Sequence, residues 1–334
     1  MLRIHFTVAD AMNVRVVVLG AFAELLASFG KLHEPRDGLL FGRWRARTVA
    51  RAETLSPDVW ELARFVAPPA HGMADLFTLV GPTEEYAEAV DRLFSVPSGP
   101  LRKELSYAPL KAGVRASWIA DFAERERTAR QRMNRALGDY HEAAIAPYWS
   151  RLQAVLDNER TTRLGIMAHE GLGAMLEGLA PGWRWTPPVL ELPDYHRPSG
   201  AVDVHLEGRG LLVAPSVFNA ADPGLFMPWH DGPPMLIYQV RLDPPTTLRL
   251  WRDPGDPSDR AVATLLGTTR AAALRVVADG CTTSELARRL NISPGGASQH
   301  ATVLRESGLI VSRRHRNTMR HSITRLGQDL LNSA

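Results

Sequence analysis

The sequence predicts an α+β protein of two domains: a larger, mainly helical domain with an antiparallel β-sheet portion, and a small domain of short helices and a hairpin. At 334 residues the chain is longer than one average domain. From residue 260 onward it has 11 arginines and 4 acidic residues, a net charge of +7, whereas residues 1–259 are net −4. Every Trp, Tyr and Phe lies before residue 260, so the two domains need different cores. The basic domain is typical of a module that binds a polyanion, although solvated surface charge gives the same asymmetry.

The predicted boundary between the domains is a proline-rich segment. It contains four prolines and one glycine, which interrupt both helices and sheet ladders. We therefore expect an N-terminal domain over residues 1–242, a linker over 243–259 and a C-terminal domain over 260–334.

The N-terminal domain is predicted to be mainly helical, with strands near its two ends. Leu2–Phe6 alternates as a strand does. Ser56-Pro57 and Thr83 are typical helix starts, because a hydroxyl caps free amides and proline fits the first turn. Long helices are expected over 116–137 and 148–179, the second interrupted by Gly165, Gly171 and Gly173. After Gly182 the period changes to two, and strands are expected at 189–192, 201–206, 211–214 and 235–240, with a hairpin turn at 207–210.

The C-terminal domain is predicted to consist of short helices separated by glycines and tight turns. We expect these helices at 260–266, 268–278, 283–290 and 294–307. Ser293 caps the last helix, Pro294 occupies its first position, and Gly308 ends it. A tight turn at 291–292 joins the last two helices. This is a helix-turn-helix unit, whose second helix enters the DNA major groove.

Helix 294–307 is predicted to have one buried and one DNA-facing side. At 100° per residue, Ala297, Ala301 and Leu304 form the buried stripe. The opposite arc is polar and short-chained, and it carries Gly295, Ser298, Gln299, Thr302 and Arg305.

Each residue of the polar arc has an expected role. Gln299 suits adenine, Ser298 and Thr302 suit base edges or phosphate, and Arg305 suits phosphate. Ser293, Gly295 and Gly296 allow the helix N-terminus to approach a phosphate closely. His300 beside the stripe either makes a structural hydrogen bond or contacts a phosphate.

Residues 309–324 predict a β-hairpin with its tip at 315–317. Its arginines, Arg313, Arg314, Arg316 and Arg320, suit a wing that follows the DNA backbone or enters the minor groove. A solvated edge hairpin is the alternative, but the position directly after a helix-turn-helix favours a winged helix.

Residues 260–331 resemble the ArsR-type winged helix-turn-helix transcriptional regulators. The resemblance is carried by ELARRL, by the spacing of Ser298 and His300, and by VLRESGLI. The front part, with LRIHFT, IAPYW and GRGLLVAPSVF, resembles the large N-terminal domain of unknown function in actinobacterial regulators. The resemblance implies a regulator, expected to be a repressor, that binds double-stranded DNA as a homodimer.

Metal sensing is not expected. Metal-sensing members of the family use a Cys-x-Cys pair on the first helix of the motif, where this chain has TTSELARRL, or Asp/His sets on the last helix. Cys281 is the only cysteine, and alone it makes no chelate. We expect no metal and no cofactor. The single cysteine fits a reducing compartment, and no secretory or membrane segment is visible, so we expect a cytoplasmic protein.

The N-terminal domain shows no assembled catalytic motif, and we do not expect an enzyme. His169-Glu170 begins like a zinc-protease motif, but position 173 is glycine. Asp203 and His205 share a strand face without a third partner in the pattern. Ser216 lacks the flanking glycines of a nucleophile elbow.

The aromatic residues of the N-terminal domain are candidates for an effector pocket. They are Trp118, Trp149, Trp183, Trp185, Phe218, Trp229 and Tyr238. Ordinary core and inter-element packing is the alternative explanation, and it is the one that we favour. Because a regulator needs an input, our hypothesis is a small, partly apolar effector. The alternative function is an enzyme or ligand-binding protein whose winged helix is a protein-interaction module. Such a module has no need for four hairpin arginines, and this distinguishes it from a DNA-binding domain.

Overall fold

The computed structural model forms two compact units, Met1–Asp243 and Pro244–Ala334. The residues that it describes are 1–32, 38–52, 56–66, 75–83, 85–107, 117–192, 202–219, 223–228, 232–252, 257–278, 280–290, 292–315 and 318–333. The chain is an α+β protein, as predicted. None of the described helices combines the length and the apolar character needed to cross a bilayer.

The first unit is mainly helical. Its helices are α1 Val8–Met12, α2 Ala21–Leu32, α3 Gly38–Ala52, α4 Pro57–Val66, α5 Leu76–Val80, α6 Tyr86–Ser95, α7 Ser98–Tyr107, α8 Ser117–Ala123, α9 Arg127–Ala144, α10 Trp149–Glu170 and α11 Leu172–Glu177. Its strands are β1 Leu2–His5, β2 Val14–Val16, β3 Arg184–Thr186, β4 Val189–Leu192, β5 Val202–His205, β6 Leu211–Ser216, β7 Gly224–Phe226 and β8 Met235–Gln239.

The strands of the first unit form two mixed sheets. One has the order β3-β4-β1-β5, with β1 antiparallel to β4 and parallel to β5. The other has the order β2-β6-β8-β7, in which β2, β6 and β8 are parallel and β7 is antiparallel. Apolar residues from both sheets and from α11 share one buried cluster, which includes Ile4, Val213 and Leu176. The predicted antiparallel portion is therefore present, together with parallel pairs that alternation alone does not reveal.

The predicted hairpin turn at 207–210 is wrong, because β5 and β6 belong to different sheets. Glu207 and Gly208 do turn the chain, with φ of 56° and 84°. Beyond the turn, the Gly210 amide donates to Asp10 Oδ1 at 2.8 Å, and Leu211 pairs with Val14 of β2. These contacts with the N-terminal segment hold β6 beside β2.

The helix predictions need three corrections. The predicted helix 116–137 is two helices, because Arg125 has φ of 63° and the Glu126 carboxylate caps α9 by accepting from the Ala129 amide. The predicted helix 148–179 is interrupted at Gly171, which has φ of 94° and ends α10, but not at Gly165, through which α10 continues. Thr83 does not begin a helix. Its hydroxyl donates to Glu88 in the first turn of α6. Ser56 does stand before α4 and accepts from the Asp58 amide.

The second unit contains short helices and a three-stranded sheet. Its elements are α12 Pro244–Leu250, α13 Pro257–Leu266, α14 Thr268–Ala278, β9 Cys281–Thr282, α15 Thr283–Leu290, α16 Pro294–Glu306, β10 Ile310–His315, β11 Thr318–Ile323 and α17 Arg325–Ser333. The sheet has the order β10-β11-β9 and is antiparallel.

Part of the predicted linker is helical. Pro244 and Pro245 open α12, at positions where an intrahelical amide donor is not needed. Thr247, Leu250 and Trp251 are buried, so this segment packs as part of the folded chain.

Candidate nucleic-acid interface

Helices α14, α15 and α16 are held together by a small aliphatic core. Leu274, Leu286 and Leu304 are 0–1% exposed within one cluster. The start of α15 is fixed by Glu285, whose carboxylate accepts from the Thr282 amide at 2.7 Å, while the Thr282 hydroxyl accepts from the Glu285 amide at 3.3 Å. The hydrogen bond from the Thr282 amide holds the pKa of Glu285 below its ordinary value, against the opposing effect of burial. The carboxylate therefore stays charged at the helix N-terminus, where the macrodipole favours it.

The ends of α16 match the sequence prediction. Ser293 Oγ accepts from the Gly296 amide at 3.1 Å, and Pro294 opens the helix. Beyond the helix, Gly308 adopts φ of 71°, and the Leu309 amide donates to the carbonyl of Leu304. This is the left-handed termination that glycine permits.

The two faces of α16 differ in the predicted way. Ala297, Ala301 and Leu304 are buried. On the other side, the exposed residues are Ser293, Gly295, Ser298, Gln299 and Arg305, and the half-buried ones are Gly296, His300 and Thr302. A Cβ added at Gly295 would meet no protein atom within 4 Å. A polar, short-chained surface is therefore open to an external partner.

The hairpin β10–β11 presents arginines on both strands. Arg313, Arg314 and Arg320 are exposed, and Arg313 lies directly opposite Arg320. Like charges in opposite positions of a ladder repel each other, so this pairing favours an anionic partner. Arg316 belongs to the predicted tip and lies outside the described residues.

His321 attaches the hairpin to the helices. The side chain is 4% exposed. Its Nδ1 lies 2.7 Å from Ser312 Oγ on β10, and its Nε2 lies 2.9 Å from Thr283 Oγ1 on α15. Burial lowers the pKa of His321, and the charge of Arg305 lowers it further. The sequence prediction missed this residue. Its alternation with Met319 and Ile323 on β11 is a signal of burial, but not of its hydrogen-bond partners.

Comparison with protein families agrees with this geometry. Residues 274–311 match the family of winged helix-turn-helix DNA-binding domains. The second unit is a winged helix-turn-helix domain. Neither the curated proteins nor the solved structures compared with the chain gave a match. The family match indicates DNA binding by this domain, hereafter the winged-helix domain.

The residues named for an effector pocket lie in separate surroundings. Trp183 and Tyr238 are buried in the cluster between the sheets, with Trp185 packed against it. Phe218 instead packs against Trp44 at 4.7 Å between ring centroids. Trp118 donates to Glu61 and lies under the guanidinium of Arg132. Trp149 is half-buried in the first turn of α10, and Trp229 lies outside the described residues.

A buried carboxyl, that of Glu24 on α2, lies beside Phe218. It is 2% exposed, and its Oε2 accepts from the amides of Val217 and Phe218 at 3.0 and 3.2 Å. Burial raises the pKa of Glu24 to about 7, even though hydrogen bonds from Ser216 and the two amides act in the opposite direction. The carboxyl anchors the chain where it leaves β6.

The strand residues Asp203 and His205 gain a third neighbour from β1. His5 Nε2 lies 2.8 Å from Asp203 Oδ1, and the His5 ring stacks on His205 with 4.3 Å between centroids. The hydrogen bond from His5 lowers the pKa of Asp203. Among the residues that the structure describes, no three His, Cys, Asp or Glu side chains are grouped so as to hold a metal ion.

The structure also shows the surroundings of Ser216 and His169, the two other residues considered as parts of catalytic motifs. Ser216 is buried, and its Oγ accepts from the Asn219 amide at 3.1 Å. His169 is exposed near the end of α10.

Proposed function

We propose that this protein is a sequence-specific DNA-binding transcriptional regulator of the ArsR type, a repressor that acts as a homodimer. The observation that carries the proposal is the pairing of two surfaces within one winged-helix domain. The polar arc of α16 offers side chains of the right length for base edges, and the neighbouring hairpin offers arginines for phosphates.

The two surfaces have different proposed roles, base recognition for α16 and phosphate binding for the hairpin. Gln299 and Ser298, one turn inside α16, are the base-reading residues. Arg313, Arg314, Arg316 and Arg320 bind the backbone or the narrow minor groove and supply affinity that depends little on sequence. Arg305, at the far end of the arc, binds phosphate.

A dimer provides the geometry for a pseudo-palindromic operator. Two winged-helix domains related by a two-fold axis place their α16 helices about 34 Å apart, one turn of B-DNA. The first unit is the part of the chain available to receive a signal, and we propose that a small, partly apolar effector binds there. Such an effector changes DNA affinity only by the difference in its own affinity for the free and DNA-bound states.

The test is selection of duplexes by the full chain from a random library, followed by the salt dependence of binding. With about six phosphate contacts per dimer, we expect a log–log slope near −5. No enrichment, no binding at low salt, or a slope near zero would overturn the proposal and favour a protein-interaction role for the winged-helix domain.

The effector is tested on the same complex. Compounds that raise the unfolding temperature of the full chain are added to the selected duplex complex, and release is followed by fluorescence anisotropy. Stabilisation of the protein without any change in DNA affinity would remove the sensing part of the proposal.

A further inference from the structure

His321 stands where the arginine hairpin leaves the core of the winged-helix domain. It is buried, whereas residues 318–320, which precede it on β11, are all exposed. The residue opposite it on β10 is Ser312, and Arg313 and Arg314 beyond that position are exposed. The pair formed by His321 and Ser312 therefore separates the anchored base of the hairpin from its projecting part.

The imidazole bridges two secondary-structure elements. One ring nitrogen binds Ser312 of β10 and the other binds Thr283, the first residue of α15. Thr283 is itself held in place, because the capping pair of Thr282 and Glu285 fixes the start of that helix. A neutral imidazole has one donor and one acceptor, and each hydroxyl accepts or donates as required. Both contacts are therefore satisfied in either tautomer.

The backbone provides only a short connection at this point. Strand β9 has two residues, and its ladder with β11 consists of Cys281 opposite His321 and Thr282 opposite Arg320. Two-stranded ribbons twist over a wide range, so two residue pairs leave the direction of a projecting hairpin weakly determined. A side chain that binds both β10 and α15 adds a constraint on that direction, beyond the packing of Ile310 and Ile323 at the base of the hairpin.

We propose that His321 is a positioning residue for DNA binding: its bridge between Ser312 and Thr283 fixes the direction of the arginine hairpin relative to α15 and α16. It has no contact with DNA itself. The inference rests on the proposed function, in which the hairpin and α16 bind one duplex together. A fixed direction lets both surfaces reach the duplex without an entropy cost at binding.

The first test removes one hydrogen bond at a time and keeps the imidazole in place. We expect Ser312→Ala and Thr283→Val to bind the selected duplex about 10-fold more weakly, with a salt slope shallower by about one to two units because hairpin arginines are disengaged. The base preference of α16 is expected to stay unchanged. Ser322→Ala is the matched control, because Ser322 is an exposed hydroxyl next to His321 on the same strand.

A second readout needs no DNA. Spin labels at Met319→Cys on the hairpin and Glu306→Cys at the end of α16, in a Cys281→Ser background, report the distance between the two elements. We expect a narrow distribution with His321 intact and a broader one for Ser312→Ala and Thr283→Val. His321→Gln, which keeps a donor and an acceptor, should be narrower than His321→Leu, which keeps neither.

The outcomes separate the two claims. Loss of thermal stability with an unchanged distance distribution and an unchanged salt slope would show that His321 contributes stability alone and would overturn the inference. A wild-type chain that binds no duplex overturns the proposed function, while the distance distributions still decide whether His321 positions the hairpin.

Discussion

Arg313 and Arg320 lie directly opposite each other on the two strands of the hairpin, and both side chains are exposed. A ladder normally places opposite charges or neutral pairs in such positions, because two cations there destabilise the pairing. The free protein therefore carries a repulsion that a bound polyanion would relieve. This relationship predicts opposite effects on stability and on binding from one substitution.

Arg320→Gln is expected to stabilise the winged-helix domain slightly at low salt and to weaken DNA binding. The gain in unfolding free energy, on the order of a few tenths of a kcal/mol, should disappear at high salt because the repulsion is screened. The salt slope should become shallower by about one unit per domain. Thermal unfolding and fluorescence anisotropy measure the two effects.

The control is Arg325→Gln on α17, which removes the same charge from a side chain that is 96% exposed and lies outside the hairpin. Equal losses of DNA affinity for both variants would mean that net charge alone, and not hairpin position, sets binding.

Gln299→Ala is expected to remove preference at one base position. Its cost on the selected duplex should be about 1–3 kcal/mol, the usual contribution of a good bidentate base contact, while binding to random duplex changes little. Competition binding against duplexes substituted at each position measures the loss. Equal losses on both duplexes would show that another face of α16 reads the bases.

Gly295→Ala is expected to raise the stability of the winged-helix domain and to lower its affinity for DNA. Within the protein, a Cβ at this position meets nothing within 4 Å, and alanine improves helix propensity by about 1 kcal/mol, so the domain should become more stable. DNA affinity should fall if the added methyl group occupies the space in which we propose that a phosphate binds at the helix N-terminus. Unchanged affinity would place the duplex further from this turn.

The positions of the helices in the winged-helix domain were predictable because their signals are local. The capping residue Ser293, the terminator Gly308 and the apolar spacing of Ala297, Ala301 and Leu304 all act within a few residues of the helix they define. His321 was missed because its partners, Thr283 and Ser312, come from two other elements, and no periodicity reveals a bridging hydrogen bond.

The sheets of the first unit were less predictable for a related reason. Alternation identified the residues of β4, β5, β6 and β8, since it reports which side of a strand is apolar. It does not report the neighbouring strand. The turn before β6 has the composition of a hairpin turn. Strand β6 nevertheless pairs with β2, which lies near the N-terminal end of the unit.

Gly210→Ala is expected to destabilise the first unit strongly. The residue has φ of 76°, and an added Cβ would lie 2.5 Å from the carbonyl oxygen of Asn13. Alanine must therefore both adopt a disfavoured conformation, at about 1–2 kcal/mol, and displace the amide that binds Asp10. Gly208→Ala is the control, with φ of 84° and no atom within 4 Å. Urea unfolding should show a clearly smaller loss of unfolding free energy for Gly208→Ala. Similar losses for the two variants would show that the close approach to Asn13 is not what destabilises Gly210→Ala.

Glu24→Gln is expected to change the pH dependence of stability. The folded protein binds the Glu24 proton more tightly than the unfolded chain, since burial raises the pKa from 4.5 to about 7. The protonated carboxyl therefore contributes stability that is fully present below the unfolded pKa and is lost as the pH rises through about 7.

Urea unfolding at pH 5 and pH 8, followed by tryptophan fluorescence, measures this effect. The wild type should lose on the order of 3 kcal/mol more than Glu24→Gln across that range. Glu170→Gln, an exposed carboxyl at the end of α10, should behave like the wild type. Parallel profiles of unfolding free energy against pH for the wild type and Glu24→Gln would contradict a raised pKa for Glu24.

The pairing of β1 has a consequence for when its sheet can form during synthesis of the chain. Leu2 is paired with Leu192 on one side and Val202 on the other. Strand β1 therefore leaves the ribosome roughly two hundred residues ahead of both of its neighbours, and such distant contacts form slowly. Its apolar side chains need shielding during that interval, whereas the winged-helix domain closes its core from neighbouring segments as soon as they emerge.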